Sequence, residues 1–135
     1  MTWILTLLLF ADLSSIKGVP DLEKRSELAL ANADEQVDAA RTAYKAGDVK
    51  KMQQALDELR DSVTLAADAL ENAPKQARKS KYYKRAELKT RALLRRLKTL
   101  ADEVSVDDRT PVEDARQKVQ EVHDHLLEDI MSNKK

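Results

Sequence analysis

Residues 47–70 read GDVKKMQQALDELRDSVTLAADAL, and within them Val49, Met52, Leu56, Leu59, Val63, Ala66 and Leu70 recur at alternating intervals of three and four without a break. That period puts all seven on one face of an α-helix, whereas a half-buried strand would alternate every second residue. Ala55, Ala67 and Ala69 flank the seam. Small flanking side chains let neighbouring helices approach, which favours a bundle over a two-stranded coiled coil. Asp48 supplies the N-cap, because a carboxylate there accepts from amides that a helix start leaves unpaired.

Working outward toward the N-terminus, Gly47 ends a preceding helix that opens at Pro20-Asp21 and carries the seam Leu30, Ala33, Val37, Ala40 and Tyr44. A glycine stop followed at once by an N-cap aspartate makes a tight αα-hairpin, so the first and second helices should be antiparallel neighbours. Toward the C-terminus, Asn72-Ala73-Pro74 stops the second helix, since proline lacks an amide donor and disfavours helical geometry in the residue before it. A third helix carries Tyr83, Ala86, Thr90, Leu93, Leu97, Leu100 and Val104. Ser80 is its preferred N-cap, which leaves Lys75–Lys79 as a basic linker. Thr110-Pro111-Val112-Glu113 has the form of a capping box with proline at the first helical position, and a fourth helix continues through Ala115, Val119, Val122, Leu126 and Ile130. The fold expected is all-α: an antiparallel up-down bundle of four helices at about residues 21–46, 48–72, 80–105 and 110–131. Three long helices with a looser fourth is the variant.

Composition agrees with one small helical domain. The 135 residues are 42% hydrophobic and 36% charged, with two glycines and three prolines, too little punctuation for a many-turned β fold. There are five aromatic residues, so the core must come from Leu, Val and Ala. The absence of cysteine removes disulfides, thiolate metal sites and cysteine nucleophiles together.

Trp3–Ala11 (WILTLLLFA) is an apolar run too short to span a bilayer, which takes roughly 20 residues. It matches the apolar region of a secretory signal peptide, although no Lys or Arg precedes it and no small-x-small cleavage site is clean. Residues 1–18 are therefore assigned to a signal peptide and 19–135 to a single helical-bundle domain, exported to the periplasm or secreted. The alternatives are a cytoplasmic protein and an apolar segment packed on the bundle. No transmembrane span is expected.

Net charge is zero, with 24 basic and 24 acidic residues, but it is unevenly spread. Pro74–Ala101 holds 11 basic residues and one acid, Glu87; the segments on either side each carry a net charge of −5. With Tyr83, Thr90 and Leu97 as heptad a positions, Lys84, Arg91 and Lys98 fall at b, Arg85 at c, Arg95 at f, and Lys89 and Arg96 at g. At 100° per residue these span an arc of about 140° opposite the seam. Lys79 and Lys81 extend the arc along the linker. Such a strip suits an anionic lipid, a cell-surface polymer or an acidic protein. Nucleic acid is a poor fit, because exposed aromatic stacking platforms are missing. The competing account is a solvated helix face attracted to acidic neighbours in the same bundle.

Catalytic patterns are absent: there is no Gly-rich phosphate loop, nucleophile elbow or HExxH. The protein reads as a non-enzyme with no cofactor. His123 and His125 lie about 200° apart on a helix and cannot chelate one ion together. Glu121, His125 and Asp129 align at intervals of four and form a remote metal candidate, with Asp129 interrupting the apolar seam. The expected function is surface association through Lys79, Lys81, Lys84, Arg85, Lys89, Arg91, Arg95, Arg96 and Lys98. A structural protein whose seams complete themselves in a homodimer is the alternative.

Overall fold

The computed structural model describes residues 13–73 and 81–131. A short helix, α1 (Leu13–Lys17), precedes four long ones: α2 (Leu22–Lys45), α3 (Val49–Glu71), α4 (Lys81–Glu103) and α5 (Thr110–Met131). A 3₁₀ turn at Val106–Asp108 joins the last two, and no strand occurs among the described residues. These four long helices are the bundle expected from the seams.

Local chemistry sets the boundaries. Asp21 caps α2, its carboxylate accepting from the amides of Glu23 (3.1 Å) and Lys24 (3.3 Å). At the other end Gly47 takes a φ of 81°, and the amides of Gly47 and Asp48 donate to the carbonyls of Tyr44 and Ala43, both at 2.9 Å. This pair of bonds is a Schellman stop, and its left-handed residue is glycine because a Cβ would be strained there. Asp48 then accepts from the Lys51 amide at 3.0 Å and starts α3. The start of α5 differs from the sequence expectation. Thr110 is its first helical residue, and the Glu113 amide donates to the Arg109 carbonyl at 3.0 Å. The Glu113 carboxylate pairs with Arg116 at 3.3 Å instead of closing a capping box, because the 3₁₀ turn runs almost directly into the helix. Ser80, the expected N-cap of α4, lies outside the described residues.

The seams pack as one core. Leu30, Val37, Met52, Leu56, Leu59, Val63, Leu93, Leu97, Leu100, Val112, Val119 and Leu126 are all buried. Each large aliphatic contributes about 2 kcal/mol when fully buried. Ile16 of α1 belongs to this core at 1% exposure, although the sequence pattern puts it in the leader segment. The apolar run Trp3–Ala11 itself lies outside the described residues.

Helix order follows from the cross-helix pairs. α2 packs on α3 and on α4, and α5 packs on α4 and on α3. Consecutive members of each hairpin are antiparallel. Arg85 meets Glu27, Lys89 meets Asp34 and Arg41 meets Glu103, so residue numbers rise together and α2 and α4 run parallel. Helices α3 and α4, joined by residues 72–80, therefore sit at opposite corners. This arrangement lays the most basic helix along an acid-rich one, and their aligned dipoles would otherwise repel.

Candidate functional site

Each cation of the expected strip takes its surroundings from its helical phase. Arg85, Lys89 and Arg96 share the flank of α4 that faces α2. Arg85 Nη1 donates to Glu27 at 2.6 Å, Lys89 Nζ to Asp34 at 2.9 Å, and Arg96 Nη1 to both the carboxylate and the carbonyl of Asp34 at 3.1 Å. Arg96 also pairs with Asp38. A second stripe, formed by Lys84, Arg91, Arg95 and Lys98, is exposed to solvent. Lys84 and Arg95 form no ion pair among the described residues. Among the described residues Lys98 pairs only with Asp102 on its own helix, at 3.9 Å, and its side chain is 65% exposed. Lys81 stands over the Tyr82 ring at 5.5 Å, and Lys79 lies outside the described residues.

The arc therefore divides in two. One half is compensated across the α2–α4 interface, as the acidic-neighbour account requires; the other is open to solvent. Surface pairs of this kind contribute about 0–1 kcal/mol each, so they orient side chains more than they stabilise the fold.

Glu87, the only acid in the basic block, has a different fate. It is buried at the e position, where α4 meets α5. His123 Nε2 lies 2.9 Å from its Oε2, and Arg91 donates to the same oxygen through Nε at 2.9 Å and Nη2 at 2.5 Å. Burial pushes the carboxyl pKa up. The hydrogen bonds from His123 and Arg91, with their charges, outweigh that and hold it below its ordinary value of 4.5. His123 Nδ1 is buried with no hydrogen-bond partner among the described residues, the nearby Asp124 Oδ1 standing 3.9 Å away. The sequence reading gives His123 no role, noting only that it cannot chelate one ion together with His125. The available signal was its place four residues after Val119, which turns it to the flank of the apolar seam.

The metal candidates do not assemble as aligned. Glu121 pairs with Lys118 at 3.2 Å, while His125 Nε2 lies 3.6 Å from Asp129 and 3.4 Å from Glu71 of α3. No group of three or more acidic or histidine side chains is arranged to hold a metal ion among the described residues. Asp129, at the interrupted seam position, accepts from the Tyr83 hydroxyl at 3.4 Å. No described helix is long and apolar enough to cross a membrane.

Fold and site together define a small all-α bundle of four long helices. No protein-family model, curated protein or solved structure matches the chain.

Proposed function

We propose that this chain is a non-enzymatic, exported helical bundle that associates with an anionic surface, such as lipid headgroups or a cell-surface polymer, through Lys84, Arg91, Arg95 and Lys98. The observation that carries this is the open stripe. Lys84 and Arg95 lack ion-pair partners among the described residues, and Arg91, although it holds Glu87, keeps 53% of its side chain exposed. Four cations on one face of a helix meet a flat anionic surface together, and each adds about 1 kcal/mol near a charged membrane. Export is supported by the apolar run Trp3–Ala11. Burial of Ile16 favours cleavage ahead of α1, after Ala11, over a cut near Gly18, because the mature chain then keeps its core residue.

Co-sedimentation with phosphatidylglycerol vesicles tests the surface. Retention should be strong at low salt and weaken steeply as ionic strength rises. Replacing both Lys84 and Arg95 with alanine should reduce affinity roughly 30-fold. Absence of retention at low salt, on vesicles and on a polyanion column alike, would falsify the proposal.

A further inference from the structure

A cavity of about 500 Å³ opens between the N-terminal halves of α2 and α4, within the 300–1,000 Å³ typical of small-molecule sites. Leu30 and Ala86 form its buried floor. Ala31 lines it from α2 with only a methyl group, and Leu88 borders it from α4 at 56% exposure. The gap has a sequence cause: alanines at 31 and 86 stand where larger side chains would close the space between the helices.

The mouth of this trough carries both signs: one acid, Glu27, lines it with two cations, Arg85 and Lys89. Tyr82 lines it, and two cations flank the Tyr82 ring, Lys81 Nζ at 5.5 Å and Arg85 Cζ at 5.7 Å from its centroid. Lys81 forms no ion pair among the described residues. Arg85 spends only Nη1 on Glu27, and a guanidinium has five N–H donors, so most of its fork remains available. Lys89, also at the rim, is held by Asp34.

An apolar trough with two available cations at one end fits a ligand with one hydrocarbon chain and one anionic head. We propose that the groove binds a fatty acid, its tail along Leu30, Ala31, Ala86 and Leu88 and its carboxylate against Lys81 and Arg85. A second copy of the chain fits poorly. A helix is about 10 Å across, and a stable dimer buries about 800 Å² per partner. Among the described residues, the other large exposed apolar side chains, Val106 and Met131, lie at helix ends and not beside Leu88. The fatty-acid site uses Lys81 and Arg85 and is independent of the outward stripe.

Titration of the full chain with the fluorescent fatty acid parinaric acid tests it, with displacement by laurate and by the uncharged dodecanol. Saturable uptake of one probe per chain is expected, with laurate displacing about tenfold better than dodecanol because of the charged head. Ala31→Phe, at an exposed helix position, should fill the groove and weaken uptake about tenfold or more. Lys81→Glu should erase the preference for laurate. The double alanine variant at Lys84 and Arg95 should retain uptake while losing vesicle retention, which separates this site from the surface. Absence of uptake, or uptake indifferent to Ala31→Phe, overturns the proposal. So does a change in the emission of Trp3, the only tryptophan, on Ala31→Phe without probe uptake, which would assign the groove to the chain's own apolar run. A concentration-dependent dimer abolished by Ala31→Phe without probe uptake would assign it to a second copy and equally overturns the proposal.

Discussion

The two hairpins bury polar groups in different ways. Between α2 and α3, Asn32 Nδ2 donates to Ser62 Oγ at 2.8 Å and to Glu58 at 2.9 Å, and Gln36 adds a bond to Glu58 at 3.2 Å. Between α4 and α5 the buried group is a carboxylate, Glu87, held by a histidine and an arginine. In the first hairpin the fully buried members, Asn32 and Ser62, are neutral, and the charge on Glu58 stays half-buried near the solvent edge. In the second the charge itself is inside. Both clusters fix which residues face each other along a seam of interchangeable alanines and leucines. Their sensitivity to protonation should differ, because removing a buried ion-pair partner strands a charge whereas removing an amide strands a dipole.

Truncation should show that difference first and most strongly. Glu87→Ala leaves His123 with neither ring nitrogen bonded and is expected to cost about 2–3 kcal/mol; Arg91, half exposed, can rehydrate and keeps the loss at the low end for a broken buried pair. Asn32→Ala strands the Ser62 hydroxyl and should cost about 1–2 kcal/mol. Urea unfolding at pH 7 measures both, and equal losses would break the comparison.

Acid should separate the hairpins next. The Glu87 pKa is lower folded than unfolded, so its contribution is fully present above the ordinary carboxylate value of 4.5 and is lost as pH falls through the depressed folded value. Wild-type stability should therefore decline on acidification by an amount that Glu87→Gln removes and Asn32→Ala leaves intact. Parallel slopes for the wild type and Glu87→Gln in urea melts between pH 7 and 3 would refute this assignment.

These contrasts also mark where the sequence was legible. The seams of α3 and α4 were readable because hydrophobic period is local, and the Gly47-Asp48 turn because its chemistry needs no partner beyond the adjoining helices. Whether Lys89 and Arg96 were free could not be read, because that depends on α2 and α4 lying side by side. Phase alone put both at g, a flank as well as an arc edge, and only the diagonal relation of α3 and α4 decides which helix that flank meets. His123 was missed for the same reason: its burial is set by a partner 36 residues away in the chain. The burial of Ile16 could not be read either, because one apolar side chain in a five-residue helix makes no period.

The smallest stability effect tests the divided arc most directly. Asp34 accepts from both Lys89 and Arg96 across the α2–α4 interface, and it is only partly buried. Asp34→Asn should cost less than about 1 kcal/mol, since exposed pairs gain little over hydration and are screened by salt. Binding should move the other way. Lys89 loses its acidic partner, Arg96 keeps Asp38 and the residue-34 carbonyl, and the α4 face gains one net positive charge. If compensation by α2 is what limits the cationic face, affinity for anionic vesicles should rise severalfold at low salt, and the gain should vanish as salt increases. A protein slightly less stable yet better at binding separates compensated cations from open ones. Unchanged vesicle affinity would mean that the α2-facing flank contributes nothing to the surface, leaving Lys84, Arg91, Arg95 and Lys98 as the whole of it.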